Sequence, residues 1–96
     1  MGDPLGEAQA LRALGLAARN NGDIDRSVEA MRRGVVLAES AGDITIAAQV
    51  RTTLGPTLLY AGRPNEAVQV LAAAAEVLTG VDRAKVEMQL GGIKAR

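Results

Sequence analysis

The sequence predicts an all-α fold in which about five helices stack as antiparallel hairpins, and three observations predict it. Apolar residues make up 48% of the chain, yet Phe and Trp are absent and Tyr60 is the only aromatic residue, so the core must rest on Leu, Val, Ile, Ala and Met. Glycine-led breaks recur at Gly22-Asp23, Gly42-Asp43, Gly62-Arg63-Pro64 and Gly80-Val81-Asp82, at intervals of 20, 20 and 18 residues. Between the breaks apolar residues keep helical spacing, and β-branched residues occur singly instead of alternating with polar ones as a strand requires.

The first helix is expected over 4–21, with Pro4 after Asp3 tolerated in the opening turn and Leu11, Leu14 and Ala18 forming one stripe. Gly22 supplies the left-handed conformation that ends it, and the Asp23 carboxylate accepts from the free N–H groups of a second helix over 24–41. Ile24, Val28, Met31 and Val35 give that helix its apolar face. Gly42-Asp43 repeats the device before a third helix over 44–61, striped by Val50, Leu54 and Leu58. Pro56 inside it removes a hydrogen bond to the Thr52 carbonyl and is expected to kink it, with Gly55 giving the backbone room. The fourth helix, over 64–79, opens on Pro64 and carries Val68, Leu71, Ala75 and Leu78. Asp82 introduces the fifth, over 83–93, whose Val86, Leu90 and Ile93 are expected to cover the preceding pair. Gly91-Gly92 should fray its end, each glycine costing about 1 kcal/mol relative to alanine. Breaks of two or three residues force successive helices to turn back on one another.

Shifted by 40 residues, the chain matches itself: Leu14-Gly15 falls on Leu54-Gly55, Gly22 on Gly62, Ser27-Val28 on Ala67-Val68, Met31 on Leu71 and Gly34 on Ala74. Leu90-Gly91 then takes the Leu-Gly position a third time. Small residues recur where helices must approach and larger apolar ones where a gap must be filled, as a duplicated hairpin requires. The chain is thus one domain, 1–96, with a first repeat at about 4–41, a second at about 44–79 and a half repeat at about 82–94.

On these residues the sequence resembles the tetratricopeptide repeat family, whose pattern runs Leu-Gly-x-x-apolar, a Gly-Asp type turn, then Ala-x-x-x-aromatic and a small residue. It departs from that family in carrying Leu11 and Arg51 where a tryptophan is usual, in lacking the proline after the second helix, and in a period of 40. The extra residues lie around Glu39 to Ile44. The long repeat is similar to arrays in bacterial CHAT-domain proteins and large bacterial transcriptional regulators. The resemblance implies an α-solenoid that binds proteins.

Composition argues against chemistry. With no His and no Cys the chain lacks the common nucleophile–base pairs and zinc ligand sets, and no catalytic residue, cofactor or metal is expected. Asp23 and Asp25 read as helix-start residues, and the Asp-x-Asp pattern lacks the closing Glu of a calcium loop. Ser27 occupies the small-residue position that Ala67 fills in the second copy. No glycine run follows a phosphate-binding pattern. Eleven basic and eleven acidic residues cancel, which disfavours nucleic acid and anionic membranes as partners. No apolar run approaches a membrane span and the first ten residues do not read as a signal peptide, so a cytoplasmic setting is expected.

In the resembled family the first helix of each repeat lines a concave groove. That implies partner contacts from Gln9, Arg12, Leu16, Arg19 and Asn20, from Gln49, Thr52, Pro56, Leu59 and Tyr60, and from Lys85. The mixture of basic and apolar side chains suits a protein or peptide segment with acidic and apolar residues, and Tyr60 is the best single anchor. With two and a half repeats the last helix lacks a partner, so the chain is expected to be a fragment of a larger protein with a longer array, or else a structural homo-oligomer formed through the open C-terminal repeat.

Overall fold

A computed structural model describes residues 4–94 and, among them, five α-helices and no strand. They are α1 (Pro4–Asn20), α2 (Ile24–Ser40), α3 (Ile44–Tyr60), α4 (Pro64–Val77) and α5 (Gly80–Lys94). Each packs against its neighbour in sequence, and α1 also meets α3.

The first three junctions share one design. Gly22, Gly42 and Gly62 have φ of +85°, +80° and +76°, which a side-chain-bearing residue adopts only at a cost. At the first, the Gly22 N–H donates to the Arg19 carbonyl at 3.0 Å and the Asp23 N–H to the Ala18 carbonyl at 2.8 Å. This paired closure satisfies carbonyls that the helix end leaves free, and it recurs around Gly42 and Gly62 with distances of 2.9–3.0 Å. The following aspartate then caps the next helix: Asp23 accepts from the Arg26 N–H at 3.4 Å and Asp43 from the Ile46 N–H at 3.0 Å. Arg63 makes no such bond, but Pro64 in the first turn removes one donor that would need a partner. The expected capping role of Asp3 lies outside the described residues.

The fourth junction departs from expectation. α4 stops at Val77, two residues early, and α5 begins at Gly80 instead of 83. Leu78 turns extended, with φ −77° and ψ 153°, and buries its side chain among Leu71, Ala74 and Val86. That apolar contact outweighs two more helical residues, and Gly80, with φ +62°, lets the chain re-enter a helix at once. Asp82 therefore sits in the first turn of α5 instead of capping it. Helix α3 continues through Pro56, and α5 through Gly91 and Gly92.

The core divides in two. Val28, Met31, Val35, Val50, Leu54 and Leu58 form the larger part between α2 and α3, with Ala8, Ala38, Ala47 and Ala67. Ala48, Leu71, Ala74, Leu78 and Val86 form the smaller, with Leu90 packed against it; the side chain of Ile93 lies outside the described residues. The forty-residue echo corresponds to one repeated packing event. A Cβ added to Gly15 would stand 2.7 Å from Met31 Cγ, and one added to Gly55 would stand 2.5 Å from Leu71 Cγ. In each hairpin the larger side chain of the second helix thus fills the space left by the glycine of the first. Ser27 and Ala67, four residues before those side chains, are both fully buried, and the Ser27 hydroxyl donates to the Gly15 carbonyl at 2.6 Å.

The echo fails at one apolar position. Leu54 is 4% exposed beneath α2, whereas Leu14, its counterpart, is 50% exposed, with no earlier helix among the described residues to cover it. Leu14 is therefore not part of the core stripe that the spacing predicts.

Candidate functional site

The residues nominated for partner contact lie on α1, α3 and α5, and the first two of these helices meet to form a shared wall. Two arginines of α1 make the join. Arg12 Nε donates to Thr53 Oγ1 at 2.9 Å, and Arg19 Nη1 donates to Thr57 Oγ1 at 3.2 Å. Arg12 and Arg19 are seven residues apart, two helical turns, so they share one side of α1 about 10 Å apart. Thr53 and Thr57, one turn apart on α3, meet them in the same order. Thr57 also lies 2.9 Å from the Thr53 carbonyl, to which its hydroxyl donates, and 3.6 Å from Met31 Sδ. The seam is thereby tied into the core.

Past Thr57 the wall ends on Tyr60. The guanidinium carbon of Arg19 lies 5.9 Å from the ring centroid, within reach of a cation–π attraction, while the tyrosine is 72% exposed. One face of the ring therefore orders the arginine, and most of its surface is free for another contact. Leu59 beside it is also exposed.

Elsewhere, among the described residues, Arg26 and Arg33 are exposed without an ion pair, and four other arginines pair with carboxylates. Arg32 and Arg63 both pair with Glu66, Arg51 with Glu39 at 2.7 Å, and Arg83 with Glu87 at 3.9 Å. Among the described residues Arg12 and Arg19 pair with no carboxylate; their partners are neutral hydroxyls and a ring. Both are half-buried, so each has given up part of its hydration for hydrogen bonds that leave its charge uncompensated. A depression of 360 Å³ lies along α2, lined by Asp25, Val28, Glu29, Arg32, Arg33 and Arg63. Its charges are mixed and partly neutralised by Glu66, which makes it the weaker electrostatic target.

The remaining nominees fall into three groups. Gln9 and Asn20 are exposed on α1, and Gln49, Thr52 and Pro56 are half-buried on α3, where the Thr52 hydroxyl donates to the Gln49 carbonyl at 2.6 Å. Leu16 packs against the core cluster instead of standing free. Lys85 is exposed on α5, and among the described residues no hydrogen bond or ion pair connects it to α1 or α3. Thr53 and Thr57 were not nominated. Their signal is the forty-residue alignment itself, which places them on Ala13 and Ala17: two hydroxyls enter where the first copy has only alanine.

Comparison of the chain with protein-family models, with curated proteins and with solved structures finds no match.

Proposed function

We propose that the chain is a protein-binding scaffold of the tetratricopeptide kind, which holds a segment bearing acidic and apolar side chains against the wall formed by α1 and α3. The observation that carries this reading is the pair Arg12 and Arg19, preordered by Thr53, Thr57 and Tyr60 and lacking a carboxylate of their own. A partner carboxylate supplies the missing charge without the entropy of ordering two long side chains, which is why preordered arginines favour binding. Exposed Tyr60 and Leu59 offer the apolar contact beside them. The glycine-for-side-chain exchange common to both hairpins supports the repeat assignment.

The test is a peptide-display selection with the intact chain as bait, followed by binding measurements on the double variant Arg12→Gln/Arg19→Gln. The proposal expects enriched peptides to be acidic and apolar, to bind less tightly as salt rises, and to lose about tenfold or more in affinity to the double variant. Enrichment without an acidic bias, or affinity unchanged in the variant, contradicts it. A second reading, a structural homo-oligomer through the C-terminal repeat, draws on Val81 and Met88, 71% and 77% exposed on α5. Light scattering over a concentration series decides it, since a constant monomeric mass rules it out.

A further inference from the structure

Pro56 withdraws from α3 the N–H that the Thr52 carbonyl would accept, and it does so within the wall. In an α-helix each N–H donates to the carbonyl four residues earlier, so the Thr52 carbonyl falls to residue 56, where proline has no N–H to give. The hydroxyls and guanidinium groups nearby are engaged with other acceptors. The Thr52 hydroxyl donates to the Gln49 carbonyl at 2.6 Å and the Thr57 hydroxyl to the Thr53 carbonyl at 2.9 Å, while Arg12 Nε and Arg19 Nη1 donate to Thr53 and Thr57. Among the described residues no side chain donates to the Thr52 carbonyl.

This acceptor lies on the side of α3 that a ligand can reach. Thr52, Pro56 and Tyr60 recur at intervals of four and form one stripe beside Thr53 and Thr57. Thr53 and Thr57 are buried, whereas Thr52 and Pro56 are half-buried and Tyr60 is exposed. A backbone acceptor partly withdrawn from water gains most from a donor that a ligand brings.

The surroundings select that donor. The Thr52 carbonyl carbon is bonded to the Thr53 nitrogen, so the acceptor stands one peptide unit from the residue that anchors Arg12. The uncompensated charges of Arg12 and Arg19 repel an ammonium or guanidinium donor. Arg12 donates to Thr53 through Nε, which leaves its terminal N–H groups for an acceptor. A neutral group with donor and acceptor side by side meets both needs, and among side chains that group is the carboxamide of Asn or Gln.

We infer that the wall holds an Asn or Gln of the bound segment beside its acidic residues, the amide N–H donating to the Thr52 carbonyl and the amide oxygen accepting from Arg12. This rests on the binding wall proposed above and adds a position that is neither acidic nor apolar. Pro56 is then a specificity-determining residue that acts through the donor it lacks.

The test is a pair of peptide-display selections, one on the intact chain and one on its Pro56→Val variant. Valine keeps a branched aliphatic surface and returns the N–H, which closes the Thr52 carbonyl within the helix. Proline is the least favourable residue in a helix interior, so the variant should melt at a higher temperature than the wild type, and a lost preference cannot be ascribed to lost folding. Both pools should be acidic and apolar, but an Asn or Gln at fixed spacing from an acidic residue should be enriched in the wild-type pool alone. Replacing that residue by Leu in a selected peptide should weaken binding to the wild-type chain roughly three- to tenfold and leave binding to Pro56→Val unchanged. Pro56→Ala, which also returns the N–H, should behave as Pro56→Val does. Acidic pools with no enriched Asn or Gln overturn the inference and leave the wall standing, as does a carboxamide preference that survives both variants. Pools without an acidic bias remove the wall, and the inference with it.

Discussion

Replacing Gly55 and Gly91 by alanine should have opposite effects on stability, although the two residues occupy the same register of their helices. At Gly55 the new Cβ would stand 2.5 Å from both Cγ and Cδ2 of Leu71. Leu71 is fully buried, so it has nowhere to swing, and overpacking of this kind costs about 1–3 kcal/mol. The gain in helix propensity, about 1 kcal/mol, offsets part of this and leaves a net loss of up to about 2 kcal/mol, or up to roughly 15 °C in Tm for a chain of this size. At Gly91 no atom lies within 4 Å and only the propensity term remains, so the variant gains about 0.5–1 kcal/mol, reduced by its place near the helix end. A double-mutant cycle isolates the contact. Leu71→Ala alone costs about 2–5 kcal/mol, but in its presence Gly55→Ala should become neutral or favourable, a coupling of roughly 1–3 kcal/mol. Urea unfolding followed by circular dichroism supplies all of these values. Additive effects of Gly55→Ala and Leu71→Ala, or equal effects of alanine at Gly55 and Gly91, would refute the packing argument.

Three further outcomes are expected. Gly42→Ala should lower stability by about 1–2 kcal/mol although the space around it is empty, because its φ of +80° strains any L side chain; thermal unfolding measures this. Asp43→Ala should cost about 1 kcal/mol and Asp23→Ala less, since Asp43 accepts from its helix at 3.0 Å and Asp23 at 3.4 Å; the order of the two urea midpoints checks it. Thr57→Val keeps the shape but removes the acceptor of Arg19 and the donor to the Thr53 carbonyl; it should cost about 1 kcal/mol and make the binding of acidic peptides weaker, read by denaturation and anisotropy together.

Most of the fold was legible because it is written in punctuation. The glycines at 22, 42 and 62 end their helices by one set of backbone bonds, and helices α2 and α3 begin where their aspartates predict. The start of α5 was misplaced because Leu78 answers to a tertiary contact that local signals do not contain. Leu14 was misread for a related reason: periodicity reveals a face able to be buried, but burial needs a neighbour, and among the described residues no earlier helix supplies one. The candidate site was legible in part. Register nominated Arg12, Arg19 and Tyr60, which come together, but it also nominated Leu16, which the core uses, and Lys85, which α5 holds apart from the seam. Thr53 and Thr57 went unnominated because on α3 alone they are ordinary helix residues; only their opposition to Arg12 and Arg19 across two helices gives them a role.

Both binding readings depend on two hairpins built alike. A methyl-resolved nuclear Overhauser spectrum of the folded chain tests that most directly. It should contain cross-peaks from the Met31 methyl group to the Gly15 α-protons and from the Leu71 methyl groups to the Gly55 α-protons. A spectrum in which either glycine lacks its cross-peak, or meets a residue of a different helix, would contradict the account.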